Sequence, residues 1–170
     1  MRSEIYLFLI GLLLLGFCLG SGVAVAEAVQ RPKKVISVNP LALAQGWINF
    51  QDEKVFRPDA SIASEWSFFL RGGVIGLGYT GGGRKYIKPI APEGFWFGAR
   101  FGYVFLFETY SYYSSMLVRL GGNLGYKFLL GGVFTIEPYL GAEYIIGTLT
   151  GYEVVSGYGV LYGLNIGFAF

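Results

Sequence analysis

The run FWFGARFGYVFLF, residues 95–107, decides how this chain folds. Taken at alternate positions it separates into two unlike faces. One carries Phe95, Phe97, Ala99, Phe101, Tyr103, Phe105 and Phe107; the other carries Trp96, Gly98, Arg100, Gly102, Val104 and Leu106. A repeat of two residues marks a β-strand, because successive side chains leave a strand on opposite sides. The question is which of these faces points into the protein.

The same alternation extends in both directions. Eight strands are expected, at about 34–44, 47–55, 61–71, 74–86, 94–107, 116–128, 134–148 and 157–170. Turn-forming clusters separate them, among them Gln45-Gly46, Arg57-Pro58-Asp59, Arg71-Gly72-Gly73 and Gly131-Gly132. No helix is expected beyond the amino-terminal segment. Two features strain the pattern: Pro138 lies mid-strand without a ladder donor, and Gly81-Gly82-Gly83 is expected to form a bulge in the fourth strand. Many short, evenly spaced strands with Gly-rich turns point to a sandwich or a barrel.

Volume settles the faces. An eight-stranded barrel has an interior only just wide enough for side chains to fill, and the aromatics of residues 95–107 would overpack it. The Gly-rich parity fits. In the sixth strand that parity is Leu117, Arg119, Gly121, Asn123, Gly125 and Lys127; in the seventh it is Thr135, Glu137, Tyr139, Gly141, Glu143, Ile145 and Gly147. A soluble, lipocalin-like barrel alternates too, but it would expose a very large apolar wall to water. Against acyl chains that wall is favourable, and barrel closure satisfies the backbone groups that lipid cannot. The expected fold is therefore all-β: an eight-stranded antiparallel up-and-down transmembrane β-barrel preceded by a helical signal peptide. An even strand number returns both termini to one side, so connections 1–2, 3–4, 5–6 and 7–8 share the other. Charge at Phe101 or Leu140 is expected to cost more than Gly121→Ser.

Composition agrees: 54% of residues are apolar, 18% aromatic and only 14% charged, against roughly 25% charged in soluble domains. The start, MRSEIYLFLIGLLLLGFCLGSGVAVAEA, reads as an export signal: Arg2 in the n-region, Ile5 to Leu19 as the apolar core, and Ala24-Val25-Ala26 for cleavage. Expected domains are a signal peptide at 1–26, a short leader at 27–33 and the barrel at 34–170. The alternatives are an uncleaved anchor helix, since Ile5 to Ala26 is long enough to span a bilayer, and lipidation at Cys18, which bulky Phe17 disfavours. Cys18 is the only cysteine and the chain has no histidine, which removes Ser-His, Asp-His and cysteine nucleophile chemistry beyond the signal. Removing Arg2, Glu4 and Glu27 from 13 basic and 11 acidic residues leaves 12 against 9. These basic residues form no stripe, so nucleic acid is not an expected partner.

The candidate functional residues are the inward charges Glu53, Glu65, Arg71, Arg100, Arg119, Lys127, Glu137 and Glu143, with Asn39, Asn123 and Asn165. Four acids and four bases balance, and buried charges must be paired, so a luminal charge network across strands five to seven is expected. Two registers are open. One sets Arg119 directly opposite Glu143; the other sets Lys127 opposite Glu137, with Arg119 diagonal to Glu143. The alternatives are a selective solute path or a catalytic carboxylate pair. Glu137 and Glu143 stand roughly 20 Å apart along a strand, too far to share a proton. TGGGRKY lacks the spacing of a phosphate loop. No catalytic, metal or cofactor-binding residue is assigned. Tyr110, Tyr112, Tyr113 and Tyr152 suit either an interfacial aromatic girdle or a surface partner.

The carboxyl-terminal GLNIGFAF, with Ile166, Phe168 and terminal Phe170 in alternation, resembles the last strand of bacterial outer-membrane proteins. SVNPLAL, residues 37–43, and PEGFWFGARFGY, residues 92–103, resemble small eight-stranded outer-membrane barrels of the outer-membrane protein A/X type, mostly of unassigned function. The resemblance implies the outer membrane as location, outer-membrane lipid and the insertion machinery as partners, and Ile166, Phe168 and Phe170 as the insertion signal. Departing from the family, Asn165 stands where Gly is common. The expected role is non-enzymatic, structural or surface-interacting, and the alternative is a narrow pore or a small-ligand or lipid-binding barrel.

Overall fold

In a computed structural model of the chain, residues 31–110, 113–149 and 153–170 are described. The expected signal peptide, the leader up to residue 30, Tyr112 and Tyr152 lie outside them. The chain forms a closed antiparallel barrel in which each strand pairs with its sequence neighbours. The strands are β1 Lys34–Val38, β2 Trp47–Arg57, β3 Ala60–Arg71, β4 Val74–Tyr86, β5 Gly94–Glu108, β6 Ser114–Leu130, β7 Phe134–Leu149 and β8 Glu153–Ala169. All eight expected strands are present, with ends shifted by a few residues. The β3–β4 hairpin turns on Gly72 and Gly73, both at positive φ (61° and 83°), as a two-residue loop matched to strand twist requires.

The first strand is corrected. It ends at Val38, and Pro40–Ala44 is a short helix, α1, where the alternation predicted more strand. Asn39 caps it: the side-chain oxygen accepts from the backbone N–H of Leu41 and Ala42 at 3.1 and 3.2 Å, and Pro40 occupies the first turn, where its missing N–H costs nothing. Because β1 is short, its ladder with β8 covers only Val35–Val38 against Ala169–Ile166. Among the described residues, the rest of β8 pairs with β7 alone, and α1 packs beside both β8 and β2.

The two strained features resolve differently. Gly81-Gly82-Gly83 is no bulge: it pairs in unbroken register with Ser64, Ala63 and Ile62 of β3 and with Phe101, Arg100 and Ala99 of β5. The irregularity of register falls instead between Val55 and Arg57 in β2. Pro138 keeps its place opposite Leu164 of β8, while on the β6 side the ladder skips Tyr126 and Lys127.

The parity sorting holds around the barrel. Phe97, Phe101, Leu120 and Leu140 point outward and are about half exposed, whereas Trp96, Val104, Lys127 and Glu137 are buried inside. The start of β1 and the end of β8 lie at one end with the β2–β3, β4–β5 and β6–β7 connections, here the terminal end; the other connections form the distal end.

Candidate functional site

The lumen holds two tiers of charge. Near the terminal end, β2 contributes Glu53, β4 Arg84, β6 Lys127 and β7 Glu137, all buried. Arg84 grips Glu137 with both terminal nitrogens at 3.1 Å, reaches Glu53 at 2.6 Å, and donates to Gln51 at 3.0 Å. Lys127 bridges the same two carboxylates, Glu137 at 2.8 Å and Glu53 in close contact. Ser61 and Tyr86 donate to Glu53 at 2.5 and 2.6 Å, and Asn165 donates to Glu137 at 2.9 Å. Two acids and two bases leave no net charge, and satisfied partners are what buried ions require. The guanidinium of Arg84 also lies 4.0 Å from the centroid of the Trp96 ring. Gly125 makes room for that indole, since a β-carbon there would come within 2.8 Å of it.

The upper tier is looser. Arg119 clasps Glu143 with three contacts of 2.6–3.0 Å, and Arg100 approaches Glu65 at 3.5 Å. Gly121 faces Glu143 across β6 and β7. The register is thus the one that leaves Arg119 diagonal to Glu143 and sets Lys127 across from Glu137, where Pro138 interrupts the ladder. Above and between these pairs a cavity of about 260 Å³ extends toward the distal end, lined by Arg100, Arg119, Glu65, Glu143, Asn39 and apolar residues including Val104, Leu117 and Leu161. Asn39 donates to the Tyr139 hydroxyl at 3.1 Å, and Asn123 lines a void of only about 30 Å³ lower down.

Seven of the eight sequence-derived charges therefore face the lumen. The exception is Arg71, the last residue of β3, which is exposed at the distal rim. The network also differs in extent from the expectation of strands five to seven: its buried centre joins β2, β4, β6 and β7, and Arg100 pairs with Glu65 of β3 rather than with Glu143. The sequence reading missed Arg84, the centre of the lower tier, along with Gln51, Tyr86 and Ser61. Expecting a bulge at Gly81–Gly83 obscured the parity of everything after it. Among the described residues no group of three or more His, Cys, Asp or Glu is placed to hold a metal ion.

The chain matches no family model, no curated protein and no solved structure. What it can do must be argued from this geometry. Every carboxylate of the two tiers lies within ion-pair distance of a cation.

Of the terminal residues, Ile166 and Phe168 pair with Val38 and Ile36. Phe170 caps the seam: its carbonyl accepts from the backbone N–H of Lys33 and Lys34 at 3.1 and 2.9 Å, and its N–H returns a bond to Lys34 at 2.9 Å. Tyr110 and Tyr113 are exposed at the distal end.

Proposed function

We propose that this protein is an integral outer-membrane β-barrel, exported by its amino-terminal signal and inserted through its last strand, with a non-enzymatic structural or surface-interaction role. The observation that carries this reading is the pairing of an outward apolar wall with a charge-filled interior. Leu120 is 61% exposed, while Lys127, on the opposite face of the same strand, is 1% exposed. Water would reverse that arrangement; acyl chains favour it. Closure of the seam between β1 and β8 over Val35–Val38, with α1 packed beside β8 beyond it, supports it further, since strand edges in lipid must be paired or covered. The complete engagement of the luminal carboxylates and the lack of histidine support a non-enzymatic role, and the packed lower tier favours a plugged barrel over a narrow pore.

The test is assembly. The intact chain should fractionate with the outer membrane and show heat-modifiable gel mobility. Phe170→Asp should lower the membrane-inserted amount. Soluble, monodisperse protein without detergent, or full insertion of the Phe170 variant, would contradict the reading.

A further inference from the structure

We propose that the distal half of the lumen binds a single-chain amphiphile with one anionic head, a carboxylate or a phosphate, admitted sideways along the seam between β8 and α1. Three observations converge on it. The first is Arg100. Its side chain is 10% exposed and borders the cavity, yet its one polar contact among the described residues is the 3.5 Å approach to Glu65, beyond the usual hydrogen-bond range. Arg119, one strand away, has three contacts to Glu143. A guanidinium bordering a cavity offers five donors, and an anionic group with two oxygens is its natural complement.

The second observation is the lining. Polar Arg100, Asn49 and Ser67 line it, with Glu65 and Glu143 held by ion pairs, beside apolar Val104, Leu117, Ile145 and Leu161, a mixture that suits a charged head with a short length of chain. A cavity of about 150 Å³ accepts benzene. A space of about 260 Å³ therefore takes a head group and the first few carbons, and the rest of a longer chain must lie outside.

The third observation is the way out. From Glu153 to Asn165, β8 has no β1 partner among the described residues, and the five-residue α1 stands there instead. Val160 and Tyr162, on that stretch of β8, border the same cavity as Ala42 and Gln45 beside α1. An exposed hydrogen bond, Gln45 Nε2 to the Tyr162 hydroxyl at 3.0 Å, crosses the gap. The seat at Arg100 stands on geometry alone; only the direction of entry rests on the membrane reading.

The test uses the full chain carrying Trp66→Phe, so that an outward indole does not report, refolded into phosphatidylcholine vesicles. Trp47, which borders the cavity, is the reporting fluorophore, and Trp96, fully buried in the lower tier, gives a constant background. Dodecanoate and dodecyl phosphate brominated at the second carbon are titrated against dodecanol brominated at the same carbon, with acetate and inorganic phosphate as competitors. Saturable quenching by at least one anionic amphiphile and not by the alcohol is expected; which arm responds tells carboxylate from phosphate. Arg100→Gln should weaken it at least tenfold. Glu65→Gln, which frees Arg100 from its neighbouring carboxylate, should strengthen it severalfold, and this variant decides the matter if Arg100→Gln fails to fold by gel mobility. Equal quenching by the alcohol, no effect of either substitution, or full displacement by acetate or phosphate would overturn the proposal. A chain that never inserts would instead overturn the membrane reading.

Discussion

The two halves of the lumen are built from the same kinds of residue and do opposite things. At the terminal end Arg84, Lys127, Glu53 and Glu137 interlock with Gln51, Tyr86, Ser61 and Asn165 and border a void of only about 30 Å³. At the distal end an equal number of charges pair two by two and leave a cavity. The difference lies in what surrounds the charges. In the lower tier each cation meets two carboxylates and each carboxylate two cations, and Trp96 and Tyr86 fill the remaining volume. In the upper tier each ion has one partner of opposite charge, and the first strand ends before it reaches that level. Electroneutrality is common to both halves; density is not.

The largest consequence is expected in the lower tier. Arg84→Met leaves Glu53 and Glu137 with one cation between them, and should destabilise by about 3–5 kcal/mol, since it strands buried charge. Urea unfolding in lipid vesicles measures it. A loss no larger than that of Arg119→Met would erase the contrast between the tiers.

The outward wall comes next: Phe101→Arg and Leu140→Arg should each cost about 2–4 kcal/mol in the same assay. The inward comparison must not be Gly121→Ser, expected from parity alone to be mild. A β-carbon at Gly121 would meet the Ala142 carbonyl at 2.6 Å and the Glu143 side chain at 2.8 Å. Ser67→Ala, beside the cavity, is the gentler inward change.

In the upper tier, Glu143→Gln should cost about 1.5–3 kcal/mol, the range for hydrogen bonds to charged groups. A double-mutant cycle with Arg119→Met should show coupling, and a cycle value near zero would mean that the clasp contributes nothing.

The smallest effect is expected outside the barrel wall, at the β2–β3 turn. There the Lys85 hydrogen bond, with the charges of Lys85 and Arg57, holds the Asp59 carboxyl below its usual range against the opposing effect of desolvation. A depressed folded-state pKa contributes stability that is complete above the unfolded value of about 4 and is lost as pH falls through the folded one. Asp59→Asn should flatten that acid limb slightly, lowering stability a little at neutral pH and leaving it unchanged once the carboxyl is protonated.

Much of the fold was legible because one physical quantity, side-chain volume, separates the two parities so sharply. Phe, Leu and Tyr on one face and Gly, Ser and paired charges on the other leave only one way to close eight strands. The failures came where two patterns coincide. VNPLALA alternates like a strand, yet Asn39-Pro40 is also a helix start, and the capping bonds to Leu41 and Ala42 decided it. Arg84 was hidden by the three glycines before it, which look like a bulge but continue the ladder. Arg71 has the right parity, but parity carries no information about height, and β3 ends there. The cavity was not legible at all, since it depends on where β1 stops.

The most direct measurement is ion flux into sealed vesicles bearing the refolded barrel, with gel mobility of the same sample giving the folded fraction. A sealed lower tier predicts flux equal to that of protein-free vesicles at every folded fraction. Flux that rises in proportion to the folded barrel would contradict it, and would make the lumen a pore.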